Sequence, residues 1–341
     1  MKIKLTKNLF VSKNSCPLIV AEISANHNGS KKRLLKHILE AKKVGADLIK
    51  IQTYDENDIS YDLSKLKKVK LKNHFNIYKK TKTRYDWHKE AFKLAKKIKI
   101  PIFSSPFSIK AVDFLEKLKC PLYKIASLEI TDHALIHKIA KTRKPIIMSC
   151  GTAYIEEVIE AVRIINRFHN KLILMYCRSS YPLEEKNSNL STINFLSKKF
   201  PKNIIGYSDH TNSTNTSRVA CVLGAKIIEK HFIIDSAKSY DSDFSIKPNE
   251  FKKLKNEIIN DFKIIGYKSP YLLTDEKIRR KYRRSIYAIK KIKLGEKFTE
   301  KNIKTLRPKI GLCASKYFQI INRNSKRNYK KDSPIKSDEI N

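Results

Sequence analysis

Residues 204–232 have the sequence IIGYSDHTNSTNTSRVACVLGAKIIEKHF. A short apolar run, Ile204–Ser208, comes first, followed by an amphipathic stretch, Asn215–Leu223, and by a second apolar run, Lys226–Phe232. This order predicts a strand, a helix and a second strand, and a helix of this length between two strands is typical of a parallel crossover. The stretch therefore predicts one unit of an α/β fold.

The same pattern repeats along most of the chain and predicts eight strands: Leu18–Ser24, Leu48–Thr53, Ile102–Ser105, Leu122–Ala126, Ile146–Ser149, Leu172–Cys177, Ile204–Ser208 and Lys226–Phe232. Helical periodicity separates them at Lys31–Val44, Asp86–Ile98, Ile109–Leu118, Asp132–Lys141, Ile155–Arg167 and Asn215–Leu223. Eight strands close a (β/α)₈ TIM barrel, which is the predicted fold class. A doubly wound sheet is the alternative, because periodicity does not distinguish a closed sheet from an open one.

After residue 265 the pattern changes. A polar stretch at 266–283 is interpreted as a linker between a barrel domain, 1–265, and a small domain, 284–341. A module of this size has little core of its own and is expected to lean on a partner surface.

Composition excludes several classes of protein. The 341 residues hold 72 Lys and Arg against 33 Asp and Glu, a net charge of +39. The lysines are scattered rather than gathered in a stripe, so nucleic-acid binding is disfavoured and steering of anionic substrates is favoured. No apolar run approaches the roughly 18 residues of a membrane span. Six dispersed cysteines and no signal-peptide core at the start predict a cytoplasmic protein with reduced thiols.

Polar residues stand where nearly every predicted strand ends: Glu22 and Asn26, Lys50 and Gln52, Ser105, Ser127 and Glu129, Ser179 and Tyr181, Ser208, Asp209 and His210, then Glu229 and His231. The carboxyl ends of barrel strands converge on one rim, so these side chains are expected to form one site.

Two pairs in this set are candidates for chemistry. His210 and His231 end the seventh and eighth strands and could share a divalent ion such as Mn²⁺, Mg²⁺ or Zn²⁺, or they could be structural histidines. Lys50 and Lys124 could neutralise a phosphate or carboxylate, form a Schiff base as in barrel aldolases, or decorate the surface.

Six segments of the chain closely resemble the sialic acid synthase family: Ala21–Gly29, Lys50–Thr53, Ser104–Phe107, Tyr123–Ile130, Ser208–Thr211 and Glu229–Phe232. Members of this family condense phosphoenolpyruvate with an N-acyl amino sugar. The segment from Arg284 to Pro308 resembles the small antifreeze-like (SAF) domain that ends family members. Ser24–His27, Asp86–Glu90 and Lys124–Glu129 resemble the pseudaminic acid synthase branch, which implies 2,4-diacetamido-2,4,6-trideoxy-L-altrose as the acceptor.

The resemblance also implies roles for individual residues. His210 and His231 would hold the metal, typically Mn²⁺, with Mg²⁺ or Co²⁺ as alternatives. Phosphoenolpyruvate would contact Lys50, Ser105, Lys124, Ser127 and Ser208, and the sugar would contact Glu22, Glu129, Tyr181 and Asp241. Arg307 would reach the barrel of a second subunit in a domain-swapped homodimer. Glu22, Glu129 and Asp209 are the candidate acid–base residues. Either Glu129 or Asp209 could deprotonate the attacking water, or metal-bound water could attack directly.

The chain departs from the family pattern in two places that bear on the site and the tail. Ser239-Tyr240 stands before Asp241 where Gly-Pro is usual, and residues 330–334 lack the customary glycine.

The remaining functional alternatives are an N-acetylneuraminate or legionaminate synthase that uses N-acetylmannosamine or a related hexosamine, a Schiff-base aldolase, and a polyanion-binding protein without enzymatic activity.

Overall fold

The computed structural model describes residues 2–65, 74–266 and 273–340. The chain divides into two compact units, Met1–Gly266 and Tyr267–Asn341. Residues 267–272 of the predicted linker lie outside the described residues, and a short helix, Thr274–Arg279, occupies the part that follows them.

Twelve strands are formed by the described residues: β1 Lys2–Lys4, β2 Phe10–Ser12, β3 Leu18–Glu22, β4 Leu48–Thr53, β5 Ile102–Pro106, β6 Tyr123–Ile125, β7 Ile146–Ser149, β8 Leu172–Cys177, β9 Ile204–Asp209, β10 Ile227–His231, β11 Ser285–Ala288 and β12 Ile303–Leu306. The described α-helices are α1 Lys31–Lys43, α2 Glu56–Ile59, α3 Phe75–Thr81, α4 Tyr85–Lys97, α5 Ile109–Lys117, α6 His133–Lys141, α7 Ile155–Asn166, α8 Thr192–Lys199, α9 Asn215–Val222, α10 Pro248–Ile265, α11 Thr274–Arg279 and α12 Tyr317–Ile320.

Strands β3 to β10 form a closed parallel barrel in chain order, with β10 paired to β3. Strand residues alternate between the inside and the outside of the barrel, and the apolar outward positions pack under the surrounding helices. The predicted (β/α)₈ barrel is confirmed, and closure of the sheet excludes the doubly wound alternative.

Cap residues explain where several of the barrel helices begin. The Ser30 hydroxyl accepts the backbone N–H of Arg33 at the start of α1, and the Ser108 hydroxyl accepts that of Ala111 at the start of α5. Each bond satisfies a backbone N–H that has no partner inside the helix. These caps place the loops that precede the helices at the carboxyl ends of the strands.

Sequence reasoning missed an antiparallel pair that precedes the barrel, β1 with β2. Ile3 and Val11 of this pair, and Leu5 directly after β1, are buried in the same apolar core as the barrel strands. Both strands have three residues, too few for a periodic signal that separates them from a loop.

The second unit has a core of its own, built on the antiparallel pair β11 and β12 and including Ile286, Phe298, Ile303 and Tyr329. Near its end Asp332 adopts a left-handed backbone with φ of 65°. Aspartate tolerates this conformation better than most residues. The turn at 330–334 therefore forms without its customary glycine.

Candidate active site

Polar side chains that are distant in sequence meet at the carboxyl ends of the barrel strands. Glu22 on β3 is paired in register with Lys50 on β4 and with His231 on β10. Glu229 on β10 is paired with Ser208 on β9. Because side chains alternate along each strand, these five point to the same side, the interior of the barrel.

A buried charge cluster lies at the centre of this set. Lys50 Nζ is 2.8 Å from Glu229 Oε1 and 3.2 Å from Glu22 Oε2. Lys124 Nζ is 3.7 Å from the same Glu229 oxygen and donates a hydrogen bond of 2.6 Å to Ser149 Oγ. Unpaired, each of these buried charges would cost several kcal/mol, so the four ionisable groups stabilise one another.

Burial and mutual attraction determine the charge states. Burial acts to lower the pKa of Lys50, but Glu22 and Glu229 outweigh it and raise that pKa. Burial raises the pKa of Glu22, whereas for Glu229 the two lysines outweigh burial and lower the pKa. Burial lowers the pKa of Lys124. Two lysines therefore face one firmly ionised carboxylate, an arrangement that favours entry of an anion.

Three buried polar atoms in and around the barrel interior have no hydrogen-bond partner among the described residues: Ser105 Oγ, Glu129 Oε2 and Glu229 Oε2. Buried polar atoms nearly always have a hydrogen-bond partner, so several unpartnered atoms in one place need an explanation. Contact with a polar ligand would satisfy these atoms.

The histidine pair lies beside this cluster. The imidazole rings of His210 and His231 have centroids 5.7 Å apart, and the ring of Tyr181 lies 4.2 Å from that of His210. His210 Nδ1 is 2.7 Å from the carbonyl oxygen of Arg178, which can only accept, so Nδ1 carries the proton. Burial lowers the pKa of His210 to about 3, which keeps the ring neutral.

These two imidazoles suit a divalent cation. His210 Nε2 keeps its lone pair, because the single hydroxyl proton of Ser208 is directed to Glu229 Oε1 at 3.0 Å, nearer than Nε2 at 3.3 Å. In a metal-binding histidine, the ring nitrogen that does not bind the metal commonly donates its N–H to a carbonyl, which fixes the orientation of the ring. Among the described residues no group of three or more His, Cys, Asp and Glu forms a metal site, so water or substrate would supply the remaining ligands.

Asp241 reaches the histidine pair from the loop after β10. Its Oδ2 lies 3.5 Å from His231 Nδ1 and accepts the backbone N–H of Ala25 at 3.0 Å. Burial acts to raise the pKa of Asp241, but His231, Ser24 and Ala25 outweigh it and lower that pKa. The unusual Ser239-Tyr240 sequence therefore leaves the Asp241 carboxylate at the site.

Glu129 lies in a short 3₁₀ turn, Ser127–Glu129, directly after β6. Burial raises its pKa to about 7, against the opposing effect of Lys124. A carboxylate with a pKa near 7 can accept and return a proton at neutral pH.

Ser127 contacts the end of β8 rather than the charge cluster. Its Oγ is 3.0 Å from Cys177 Sγ. A Cβ added at Gly151 would lie 2.9 Å from Ser127 Oγ and 2.7 Å from Cys177 Sγ, so any other residue there would have to displace these side chains. Gly151 thereby lets the loop after β7 approach Ser127 closely.

Comparison with known proteins decides which family the chain represents. The model of the NeuB family matches residues 37–270. The chain belongs to the NeuB family. A second model, that of the SAF domain, matches residues 283–341 and confirms the predicted C-terminal SAF domain.

Named relatives in the NeuB family align over nearly the whole chain. Pseudaminic acid synthase of Helicobacter pylori is 39% identical over 95% of this chain and 98% of its own length. N,N'-diacetyllegionaminic acid synthase of Campylobacter jejuni is 34% identical, over 94% and 98%. The crystal structure of N-acetylneuraminic acid synthetase from Leptospira borgpetersenii, in complex with citrate, is 30% identical with a TM-score of 0.75 and covers 82% of this chain and 95% of its own.

The structure does not bring Asp209 into the site. Asp209 points away from the barrel interior, where its carboxylate accepts hydrogen bonds from Thr211, Thr216 and Ser217 and pairs with Lys230 at 3.2 Å. A carboxylate with its acceptor positions filled on the outer side of the strand does not fit the expected role in water activation. Ser208 and His210, on either side of it, point inward.

Arg307 lies in the second unit, where its side chain is exposed and forms no ion pair with any described residue. Its expected place beside a partner's barrel stays a prediction.

Sequence reasoning placed Glu229 at the rim but assigned it no role, although its contacts to Lys50 and Ser208 make it the centre of the charge cluster. The signal was present, since Glu229 stands two residues before His231 and a spacing of two places both on one face of a strand. Ser149, which accepts a hydrogen bond from Lys124, was harder to predict from the sequence, because a serine at a strand end is common.

Proposed function

We propose that this chain is a pseudaminic acid synthase, which condenses phosphoenolpyruvate with 2,4-diacetamido-2,4,6-trideoxy-L-altrose to give a nonulosonic acid and phosphate. The observation that carries the proposal is the buried pair Lys50 and Lys124 beside the histidine pair at the barrel mouth. In one site, the lysine pair can bind an anion and the histidine pair can hold a cation that polarises a carbonyl. The higher identity to a pseudaminic acid synthase than to a legionaminic acid synthase supports this acceptor.

The lysine pair suits the phosphate and carboxylate of phosphoenolpyruvate. Both ammonium groups are buried, so their attraction for an anion is little weakened by water. Ser105, with its unsatisfied hydroxyl, adds a neutral donor, and the hydroxyls of Ser127 and Ser208 would turn to the anion from Cys177 and Glu229. We therefore assign Lys50, Lys124 and these three serines to phosphoenolpyruvate.

The remaining residues suit the sugar. Tyr181 presents a partly exposed ring above His210, while Glu22, Glu129 and Asp241 offer acceptors for hydroxyl and amide groups. A divalent cation, Mn²⁺ in first place and Mg²⁺ or Co²⁺ as alternatives, would be held by His210 and His231 and would supply a Lewis acid for the sugar aldehyde.

The reaction then needs positioning and proton transfer rather than a protein nucleophile. C3 of the enol forms a bond to the aldehyde carbon, and the aldehyde oxygen takes up a proton to become a hydroxyl. Water adds to C2 and gives one proton to a base, for which Glu129 has a suitable pKa. The tetrahedral intermediate then breaks its C–O bond, releases inorganic phosphate and leaves a 2-keto acid.

Phosphate release from phosphoenolpyruvate tests the proposed function. The assay would offer Mn²⁺ with either the diacetamido-trideoxy-altrose or N-acetylmannosamine, with and without EDTA. We expect release with the first sugar only, abolished by EDTA. Release with N-acetylmannosamine alone would assign the neuraminate branch instead. A pyruvate adduct trapped by borohydride on Lys50 or Lys124 would assign an aldolase, and steeply salt-dependent polyanion binding without turnover would refute an enzyme.

A pH profile tests the role of Glu129. Because only the ionised form accepts a proton, kcat/KM is expected to fall as pH decreases through about 7, the pKa of the carboxyl in the free protein. Glu129→Gln should lose this acidic limb together with roughly 10²-fold or more in kcat. Asp132→Asn is the matched control, since it keeps the helix cap but removes a charge that raises the pKa of Glu129, and should move the limb to lower pH. An unchanged limb in Glu129→Gln would exclude Glu129 as the base.

We further propose that Arg307 completes the sugar site of a second subunit in a domain-swapped homodimer. Its guanidinium is exposed and forms no ion pair with the residues that the structure describes, which supports the assignment, as an anion would satisfy it. Arg307→Ala is expected to raise KM for the sugar or lower turnover by about tenfold or more, with barrel stability unchanged. Arg284→Ala, which removes another arginine of the second unit, serves as the control. Sedimentation of the parent as a monomer with full activity would contradict the swapped dimer.

A cytoplasmic location is also part of the proposal. All six cysteines are free thiols in the structure, which suits a reducing compartment. None of the helices formed by the described residues is long and apolar enough to cross a membrane.

A further inference from the structure

A second buried ion pair lies directly behind the histidines. Asp209 and Lys230 are register partners on β9 and β10. Each directly precedes a histidine of the pair: Asp209 comes before His210, and Lys230 before His231. Both side chains are fully buried, with Lys230 Nζ 3.2 Å from Asp209 Oδ2. Alternation along the strands turns this pair outward where the histidines turn inward.

Nearly all hydrogen-bond partners of this ion pair come from the segment that follows His210, a turn and the start of α9. Asp209 accepts from the backbone N–H of Thr211 at 2.9 Å and from its hydroxyl at 2.8 Å. Thr216 and Ser217, at the start of α9, donate to the other carboxylate oxygen at 2.9 and 2.5 Å. Lys230 donates to the carbonyl oxygen of Thr211 at 2.5 Å.

His210 is consequently held between two anchored neighbours. Asp209 precedes it and Thr211 follows it, and both are tied to β10 through Lys230. The backbone carbonyl of His210 accepts from Leu183 at 2.9 Å, and its Nδ1 donates to Arg178. Rotation or slippage of this residue would break several buried hydrogen bonds together.

Stability alone does not explain why the pair is ionic. Apolar side chains of similar volume often stabilise a fold as well as a buried ion pair does, because desolvation of the two charges is costly. What a fully satisfied buried network adds is one definite geometry. That property matters where two ligand atoms must be held within about 0.5 Å of a working position.

We propose that Asp209 and Lys230 are positioning residues that hold His210 and His231 in the arrangement that binds a divalent cation. This inference rests on the proposed function of the histidine pair. Asp209 and Lys230 do not contact substrate and are not catalytic residues. They act by locking the turn at Thr211 and the register between β9 and β10.

Two variants and a control test the proposal. Lys230→Met removes one charge and keeps the length of the side chain, whereas Ser217→Ala removes a single donor and leaves the ion pair intact. Arg218→Met is the control, since Arg218 lies next in the same helix but pairs with Asp261 at 2.8 Å. For each protein we would measure Mn²⁺ affinity without substrates by the electron spin resonance of free Mn²⁺. Imidazole ¹⁵N spectra and the unfolding temperature would be recorded on the metal-free form.

We expect Lys230→Met to weaken Mn²⁺ binding by about 10- to 100-fold and Ser217→Ala by roughly threefold or more. Arg218→Met should stay within about twofold of the parent, whatever its unfolding temperature. The parent and the control should show His210 as one tautomer with the proton on Nδ1, and Lys230→Met should show a second tautomer or averaged signals.

A folded Lys230→Met with the Mn²⁺ affinity and histidine signals of the parent would overturn the proposal. If Lys230→Met does not fold, the same two readouts on Ser217→Ala decide, and parental values there would equally refute it. A parent that binds no Mn²⁺ would count against the metal assignment alone. The histidine spectra would then still show whether Asp209 and Lys230 hold the ring of His210.

Discussion

Replacing His210 or His231 by alanine is expected to lower kcat by at least about 10²-fold, equivalent to roughly 2.7 kcal/mol of transition-state stabilisation. The proposed cation would be held by one nitrogen from each imidazole, so neither ring could replace the other. Steady-state turnover at saturating phosphoenolpyruvate and Mn²⁺ would measure the loss. Both variants are expected to remain folded, because each change removes one ring from the rim of the barrel and leaves the apolar core intact.

His133→Ala is the matched control for this experiment. His133 is exposed at the start of α6, and its loss should leave turnover unchanged. Near-normal turnover in either His210→Ala or His231→Ala would refute the metal assignment. Excess Mn²⁺ should restore part of the activity if the variants have lost affinity rather than geometry.

Lys50→Met is expected to affect both stability and catalysis. The change leaves Glu22 and Glu229 buried without their nearest cation, and breaking a buried pair from one side costs about 3–5 kcal/mol. The free energy of unfolding, measured with urea, should fall by about that amount. Phosphoenolpyruvate binding should also be lost, because one of the two buried cations that face the anion is gone.

Lys31→Met separates this effect from the loss of any lysine. The ammonium of Lys31 is 2.6 Å from Glu90, but both side chains are about half exposed, at 42% and 50%. Exposed pairs contribute about 0–1 kcal/mol, so stability and activity should hardly change. Equal stability losses in Lys31→Met and Lys50→Met would contradict the buried charge cluster. Adding Glu229→Gln to Lys50→Met should recover part of the stability, since it removes an uncompensated charge.

The strands could be read from the sequence because they are buried on both faces. The structure gives β4, β7 and β8 the predicted limits, Leu48–Thr53, Ile146–Ser149 and Leu172–Cys177. A strand covered by helices outside and packed inside consists of a nearly continuous apolar run with sharp ends. The β1 and β2 pair escaped notice because three-residue strands have no such run.

The candidate site followed from the sequence only as a set of positions. Residues at strand ends predicted a common rim, and contacts join Glu22, Lys50, Ser208, His210 and His231 there. Which neighbour points inward depends on the alternation of each strand. For lack of that information, the sequence grouped Asp209 with Ser208 and His210 and assigned no role to Glu229.

By itself, therefore, the sequence determined the eight barrel strands, the SAF domain, the family and most of the chemical groups at the rim. Those properties depend on local apolar runs and on motifs that remain recognisable without coordinates. Only the tertiary structure decided that Lys50 and Lys124 share Glu229, that burial sets the charge states of this cluster, and that Asp209 turns outward to Lys230. Those properties depend on distances between strands up to 179 residues apart, which closure of the barrel creates.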